Sequence, residues 1–530
     1  MHNLPLRDRV LGPILRKAAE TEADRTYLVA DENSWTFAQT YESVRALSCS
    51  FRQLGIQKGD RIAIMLPNSA EFIFSWYACV NIGAVIVPIN TTYTGALLEY
   101  VIKDSGSRGL IISREFISAL TDVDTEARAA LAWVSVVGDL EPETKSGGPR
   151  WLSYGELLAG NGADPEAACT FQDIHAIMYT SGTTGPSKGV VMPNGHFFSS
   201  TCTFLRAVNL VRDDVLFTPM PLFHGVASRL GALPALMVGA KFVLARQFSA
   251  SRYFEQAAAC GATIGQTIFT MQTMLKAQPP GPFDRAHRMT RMFNASYDRD
   301  FEERFNVKLV EAYGMTETGL TLYTPYGESR RGSCGRIHED WEIQLVDEEG
   351  LPVDNGQTGE IMLRPKLPSI MMTGYINKPT ETLKTIENLW FKTGDFARAD
   401  EDGYVFFGAR KKERIRRRGE NISPFEIENV VIAHPGVDDC AAVAAPAAEG
   451  EDDVRIVCEV RPDSGLTPTE LLEWLEGRLP RFMMPRYVDF MSTLPRTPNS
   501  KIEKYKLISD GIGASTWDRV AGAYVVNEQS

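Results

Sequence analysis

The sequence has no Cys-x-x-Cys pair. Its eight cysteines (Cys49, Cys79, Cys169, Cys202, Cys260, Cys334, Cys440 and Cys458) are scattered, and only seven histidines accompany them. That pattern argues against a zinc site and a disulfide framework, and it fits a reducing, cytoplasmic setting. Long apolar runs are also missing. Stretches such as Val80 to Ile89 are short and broken by Asn or Gly, so no membrane-spanning helix is expected. Residues 1–20 carry Arg7, Asp8, Arg9, Arg16 and Lys17 and lack the apolar core of a secretory signal. An excess of positive charge is absent: 55 Lys and Arg against 67 Asp and Glu give a net charge of −12. This argues against a general nucleic-acid or anionic-membrane binder, though it leaves room for a local basic patch. There is no internal repeat and no low-complexity tract. What is present is 44% hydrophobic and 23% charged over 530 residues, an ordinary globular composition too long for one core.

Residues 59–90 read as strand, helix, strand. Arg61 to Leu66 is apolar, Ser69 to Val80 has aromatics at helical spacing, and Ala84 to Val87 is again strand-like. This βαβ pattern implies a parallel sheet with both faces covered, with Phe72, Phe74, Trp76 and Tyr77 in the core. Leu110 to Ser113, Val215 to Thr218, Ala240 to Leu244, Thr263 to Phe269 and Lys308 to Ala312 read as further strands, and Gly195 to Val208 as a helix. Residues 141–150 and 159–168 read as loops. From Ser333 to Gly408 short strands alternate with turn residues. Beyond that, Pro424 to Ala433 and Thr467 to Arg478 read as helices, the latter burying Trp474 and Leu475, with strands over Asp439 to Ala444 and Val454 to Val460.

Several stretches carry chemistry. The first follows the strand-like run Ile174 to Met178: Tyr179-Thr180-Ser181-Gly182-Thr183-Thr184-Gly185-Pro186-Ser187-Lys188-Gly189-Val190. Glycines let backbone approach a ligand closely, and N–H groups, hydroxyls and an ammonium together suit a polyphosphate. A polar surface turn is the plainer reading of a Gly/Ser/Thr cluster. It is not a P-loop, which needs Gly before the lysine and Ser or Thr after it; here Ser187 precedes and Gly189 follows Lys188. Second, His224 is bracketed by Pro221 and Gly225, which suggests a fixed side-chain direction. Third, Tyr313-Gly314-Met315-Thr316-Glu317-Thr318-Gly319 reads as a strand-end turn. Ligands bind at such ends in parallel sheets, and a carboxylate near phosphates is a Mg²⁺ candidate; a solvated surface acid is the alternative. Fourth, Asp395 follows Thr393-Gly394 on an expected turn. Fifth, seven basic residues crowd into Arg410 to Arg418, just ahead of Gly419-Glu420-Asn421, and Lys501 ends the turn Pro495-Arg496-Thr497-Pro498-Asn499-Ser500. A basic run alone could serve nucleic acid, and an isolated lysine is ordinarily solvated.

In this order the motifs resemble the adenylate-forming superfamily of acyl-CoA synthetases, peptide-synthetase adenylation domains and luciferases. The resemblance is nearest to the carnitine/crotonobetaine-CoA ligase-like branch, because Phe293-Asn294-Ala295-Ser296-Tyr297-Asp298 stands where most members have a Gly-Gly-Ala-Pro-like turn. It implies an α/β fold: a large N-terminal domain (residues 1–411) of parallel-sheet subdomains plus a β-rich subdomain, and a small mobile α+β domain (residues 412–530). It implies ATP contacts from Thr180, Ser181, Gly182, Thr183, Thr184, Lys188, Ala295, Ser296, Tyr313, Gly314, Thr316, Asp395 and Arg410, with Tyr313 on adenine and Asp395 on ribose. Thr184 and Glu317 would hold Mg²⁺, Lys501 would be the catalytic lysine, and Lys412 the hinge. Glu413 stands where Asp is more usual, and Ser500 where Gly is. Gly419 and Glu420 would meet CoA; His224, Thr270, Asn294 and Thr321 would line the acyl pocket, with His224 as its gate. In the wall formed by His224, residues 265–271, Asn294, Ala295 and residues 319–323, no cationic anchor stands out.

The implied reaction joins a carboxylic acid to CoA with ATP going to AMP and diphosphate. Two alternatives remain at this point: an adenylation enzyme loading a separate carrier protein, and a catalytically silent binding protein on the same scaffold. Neither nucleic acid nor an integral membrane segment is an expected partner, and a homodimer is the default association.

Overall fold

The computed structural model describes residues 4–140, 148–180, 187–294, 297–328, 330, 332–410, 415–417, 420–422, 424–447, 452–479, 481, 483–496 and 502–525. The chain divides into two compact units. One takes residues 1–182, 186–342 and 364–389, the other residues 183–185, 343–363 and 390–530.

The first unit is built on two sheets, each with a parallel core. The βαβ pattern around residue 70 is present: Arg61–Met65 and Val85–Pro88 pair in parallel, with helix Ala70–Asn81 between them. Ser69 caps that helix by accepting from Phe72 N–H, a typical role for a serine at this position. Phe72, Phe74, Trp76 and Tyr77 are buried, as expected of core aromatics. The eight-stranded sheet runs Arg150–Ser153, Trp133–Val137, Gly109–Ser113, Arg61–Met65, Val85–Pro88, Ile174–Thr180, Lys188–Pro193, Gly374–Tyr375. Its first six strands are parallel, and the near-continuous apolar runs in Arg61–Met65 and Gly109–Ser113 reflect burial on both faces.

The nine-stranded sheet runs Arg336–Ile337, Gly319–Tyr323, Lys308–Met315, Arg291–Asn294, Ile264–Gln266, Val215–Thr218, Lys241–Leu244, Thr26–Ala30, Asn33–Thr36. The strand read over residues 263–269 is shorter than expected. Its ladder closes at Thr267, whose N–H donates to the Phe293 carbonyl (3.0 Å), and the chain turns into helix Phe269–Lys276. In both sheets the parallel order is broken by an antiparallel hairpin. Ile174–Thr180 returns as Lys188–Pro193, and Lys308–Met315 returns as Gly319–Tyr323. Both hairpins leave from the carboxyl end of a parallel strand, where ligands collect in such sheets.

Between the sheets lies helix Asn194–Val208, almost wholly buried. His175 ties it in. Trp76 Nε1–H donates to His175 Nε2 (2.8 Å), so Nδ1 carries the proton toward Asn194 Oδ1 (2.9 Å), and the ring stacks on Phe197 at 4.0 Å. Burial pulls the His175 pKa down to about 4, and that of buried His196 well below its ordinary value. Unfolded, each titrates near 6.5. Between those values the unfolded chain takes up protons that the folded one refuses, so stability is at its plateau above pH 7 and falls as the pH drops. His175 alone withdraws roughly 3 kcal/mol by pH 4. Urea midpoints should therefore fall between pH 7 and pH 5; an unchanged midpoint would contradict a neutral buried pair.

The second unit begins with a β-rich sheet. Strand Trp341–Val346 opens it, Thr358–Pro365 pairs with Trp390–Ala399, and the latter pairs with Val405–Arg410. Asp395, expected on a turn, lies within strand Trp390–Ala399. Gly394 takes φ +73° there, and the register shifts around it, so the Thr-Gly-Asp motif makes a bulge instead of ending the strand. A further sheet runs Val437–Pro446, Asp452–Val460, Tyr487–Met491, Trp517–Asp518, Ala523–Tyr524. One face packs Cys440, Ala442, Ile456 and Cys458 against helices Pro424–Ile432 and Pro468–Leu475. The other packs Ala441, Val443 and Val457 against Leu507 of helix Lys504–Asp510. Leu475 is fully buried, whereas Trp474 is half-buried, its ring covered on one side by the Arg478 guanidinium at 4.4 Å. Among the described residues no helix is long and apolar enough to cross a membrane, and no group of three His, Cys, Asp or Glu is placed to hold a metal.

Candidate active site

In the first unit the site starts at the hairpin that carries the Gly/Ser/Thr stretch. Thr180 and Lys188 face each other in register at its open end, with Thr180 Oγ1 donating to the Lys188 carbonyl (3.4 Å). Ser181, Gly182, Thr183 and Thr184 lie outside the described residues. Edge strand Gly374–Tyr375 pairs with Lys188–Pro193, Tyr375 opposite Val190. That pairing sets the Tyr375 ring under Lys188, whose Nζ is 4.9 Å from the ring centre. The same ammonium meets Glu381 Oε2 at 3.3 Å, on helix Pro379–Leu383.

Tyr375 joins the Lys188 hairpin to the Glu317 turn. Its hydroxyl donates to Glu317 Oε1 at 2.9 Å. Burial and the Glu317 carboxylate push the phenol far above its ordinary pKa, so it remains a donor. Glu317 is 8% exposed, which removes the surface-acid reading. Its backbone carbonyl accepts from Met372 N–H (2.8 Å) and faces His196 Nε2 (3.1 Å), so the turn is pinned from two sides. Lys188 and Glu317, far apart in sequence, thus share one tyrosine.

The Tyr313 to Gly319 motif is a tight hairpin and not a strand-end turn. Strand Lys308–Met315 continues through Tyr313, Gly314 and Met315 and returns at Gly319. The two glycines are what permit it. A Cβ on Gly314 would lie 2.2 Å from the Gly319 carbonyl oxygen, and Gly319 has φ +75° with Ser200 Oγ 2.0 Å from where its Cβ would be. Tyr313 is buried, and Thr316 half-buried at the turn. Glu311, one strand turn earlier and in register with Asn294, is pushed up by burial to about 8.

The residues expected in an acyl wall are placed as follows. His224 precedes the short helix Gly225–Ala227 and lies 5.1 Å from the Phe223 ring. Asn294 is fully buried, donating to Gln272 Oε1 (2.6 Å) and accepting from Thr267 Oγ1 (3.2 Å). Thr321 is fully buried on strand Gly319–Tyr323. Thr270 falls in the first turn of helix Phe269–Lys276, and Ala295 and Ser296 lie outside the described residues. A buried cation lies close to the His224–Gly225 loop, outside the positions named for the wall. Arg229, in the π-helical turn Ser228–Ala232, is 7% exposed, and its guanidinium lies back over Gly225. Its sequence signal was its isolation: it is the one charged residue between Gly225 and Ala240.

In the second unit, Asp395 is 4% exposed, its N–H faces Thr393 Oγ1 (3.0 Å), and it stands in register opposite Arg410 on the neighbouring strand. The two expected ribose and phosphate residues are therefore cross-strand partners. Lys412 and Gly419 lie outside the described residues, and Glu420 opens the short strand Glu420–Ile422. Lys501 is also outside them. The chain on either side of it is anchored: Arg496 and Ile502 form a β-bridge, Glu503 N–H donates to Pro495 O (2.8 Å), and Arg496 pairs with Asp439 and Glu459.

A family model of AMP-binding enzymes matches residues 15–376, and one of the AMP-binding enzyme C-terminal domain matches residues 426–501. The chain belongs to the AMP-binding enzyme family. Within this family it is similar to a crotonobetaine/carnitine–CoA ligase of Salmonella enteritidis PT4, 30% identical over 499 residues, which cover 91% of this chain and 96% of the relative. Among solved structures it is similar to an anthranilate CoA ligase in complex with anthranoyl-AMP, at 24% identity and a TM-score of 0.88, covering 96% of this chain and 98% of the other. A benzoate CoA ligase from Burkholderia xenovorans LB400 aligns at 23% identity and a TM-score of 0.82, covering 94% and 99%. These two likenesses bear on the fold, which is the α/β fold with a β-rich subdomain and a small C-terminal domain expected from the motifs. Like its AMP-binding relatives, the chain is an AMP-forming acid–thiol ligase.

Proposed function

We propose that the protein joins a small carboxylic acid to coenzyme A through an acyl-adenylate. The observation that supports this reading is the Lys188–Tyr375–Glu317 constellation, which brings an ammonium and a buried carboxylate onto one tyrosine. A free carboxylate resists acyl transfer because oxide is a poor leaving group. Attack of a carboxylate oxygen on the α-phosphorus of ATP forms a new P–O bond and releases diphosphate. Attack of the CoA thiol sulfur on the acyl carbon then forms the C–S bond and releases AMP, the thiol proton passing to solvent. Both steps ask the protein mainly for positioning and for opposite charge where charge develops.

Lys188 and the hydroxyls of Thr180, Ser181, Thr183 and Thr184 would receive the phosphates, with Gly182 giving them room. Glu317 fits Mg²⁺: it is buried, and one carboxylate oxygen is fixed by Tyr375. Glu317, with Thr184, would hold the ion, which supplies neutralisation of phosphate charge when bound. Tyr313, Gly314, Thr316, Ala295 and Ser296 are assigned to the adenine side, and Asp395 and Arg410 to ribose and phosphate. Lys501 is assigned the ammonium on the reacting carboxylate and α-phosphate. Gly419 and Glu420 are assigned to CoA, His224 to the gate between acid and thiol, and Lys412 to a pivot near a 411/412 domain boundary. Eight free thiols favour a cytoplasmic setting. The acid named for the relatives is not carried over, because the buried cation Arg229 stands against a quaternary ammonium.

The test is acid-dependent exchange of labelled pyrophosphate into ATP across a panel of acids, followed by addition of CoA. Exchange, then AMP and acyl-CoA formation, is the expected result. Exchange without CoA-driven turnover, but with turnover on a phosphopantetheinylated carrier, would replace this reading with carrier loading. No exchange with any acid would leave only a binding protein.

A further inference from the structure

Arg229 is the one charged side chain in an otherwise apolar stretch from Gly225 to Ala240. It is largely buried: the residue is 7% exposed, and buried Nε and Nη1 find no hydrogen-bond partner among the described residues. The guanidinium packs flat against Gly225, with Nη2, Nε and Cζ at 3.1, 3.2 and 3.3 Å from where a Cβ of that residue would be. It therefore points back to the His224–Gly225 loop. Its own backbone is fixed, since the carbonyl accepts from Thr201 Oγ1 of helix Asn194–Val208 (2.7 Å). The next carbonyl, that of Leu230, accepts from Gln266 Nε2 (2.7 Å), which ties this turn to strand Ile264–Gln266. Burial holds the guanidinium down at about 10, opposed by the Glu317 carboxylate, which is already committed to Tyr375.

A guanidinium has five donors in a planar fork that matches a carboxylate, and it stays charged in proteins. Burying it without an acceptor is costly, and polar groups left so in a native fold ask for an explanation. Here they face the His224–Gly225 loop, where the gate of the acid pocket is expected. An alkyl tail would leave Arg229 unsatisfied. An acid bearing a fixed positive charge would meet repulsion. A second carboxylate would answer Arg229, taking two of its N–H donors.

We propose that the acid substrate is a dicarboxylate, one carboxyl being adenylated and the other received by Arg229. This rests on the ligase reading above. Arg229 would then be a specificity-determining residue, absent from the adenylation chemistry itself. The experiment compares dicarboxylic acids with monocarboxylic acids of the same carbon count, aliphatic and aromatic, by ATP-dependent pyrophosphate release from the wild-type protein. Arg229→Met and Arg229→Lys are run beside it. The wild type should prefer the matched diacid by about 100-fold or more in kcat/KM, as sites built for a polar group reject analogues without it. Arg229→Met should invert that ranking, chiefly through KM for the diacid, and Arg229→Lys should keep part of it. A merely structural Arg229, or one serving only as counter-charge to Glu317, would lower activity for all acids alike and leave the ranking as it was. That outcome, or a wild-type preference for the monoacid, overturns the proposal while the ligase reading stands. If Arg229→Met does not fold, the wild-type ranking and Arg229→Lys still decide. Release with no acid of either kind defeats the ligase reading itself.

Discussion

Glu317→Gln should lower kcat/KM for acid-dependent pyrophosphate release by about 10²–10³-fold, the range seen when one preorganised electrostatic group is lost. The substitution keeps shape and hydrogen-bonding capacity. Gln can still accept from the Tyr375 hydroxyl that now bonds Glu317 at 2.9 Å. The backbone contacts from Met372 and His196 are untouched, because they go to the carbonyl of residue 317. What disappears is one negative charge at a buried point next to the proposed phosphate site. The Mg²⁺ concentration giving half-maximal rate should rise in the same variant. Tyr375→Phe, which keeps the charge but frees the carboxylate to rotate, should cost less, on the order of tenfold. A Gln variant within threefold of wild type would remove Glu317 from the phosphate chemistry.

Lys501→Ala should separate the two half-reactions. Acid-dependent pyrophosphate exchange should fall by about 10³-fold, at the upper end of what a single electrostatic group supplies. Thioester formation from a supplied acyl-adenylate should stay within a few-fold, because that step needs no ammonium on the α-phosphate. Folding should be unaffected. The chain on either side of Lys501 is tied by the Arg496–Ile502 bridge, by Glu503 N–H on the Pro495 carbonyl, and by Arg496 on Asp439 and Glu459. None of those contacts uses the lysine. Equal loss in both half-reactions, or none in the first, would take Lys501 out of the adenylation step.

Much of the fold can be read from the chain because its signals are local. The apolar runs around Arg61 and Val85 can only be buried strands, and the Ser69 cap marks where the helix between them begins. The nucleotide motifs are similarly compact, each within a few residues. What the chain conceals is what the sheets bring together from a distance. Tyr375 earns its position from an edge pairing with Val190, which no spacing rule foretells. Tyr313 to Met315 stay in a strand because Gly314 and Gly319 let two backbones approach closer than any side chain allows; composition alone suggests a turn. Asp395 misleads in the same way, since Thr-Gly-Asp makes a bulge inside a ten-residue strand. Arg229 looks like a stray charge on an apolar helix until Gly225 is seen to leave its guanidinium a shelf.

The ion pair between Lys188 and Glu381 has a bearing on which anions the protein heeds. The ammonium is already matched by a carboxylate at 3.3 Å and rests over the Tyr375 ring. A visiting anion therefore wins it only by exchange. Sulfate or a monophosphate offers little more than Glu381 does, whereas a triphosphate brings several oxygens that other donors of the hairpin can take up at once. If Lys188 receives phosphate as proposed, the pairing would act as a threshold, quieting the lysine toward the abundant simple anions of a cell and yielding to the ligand with the most to offer.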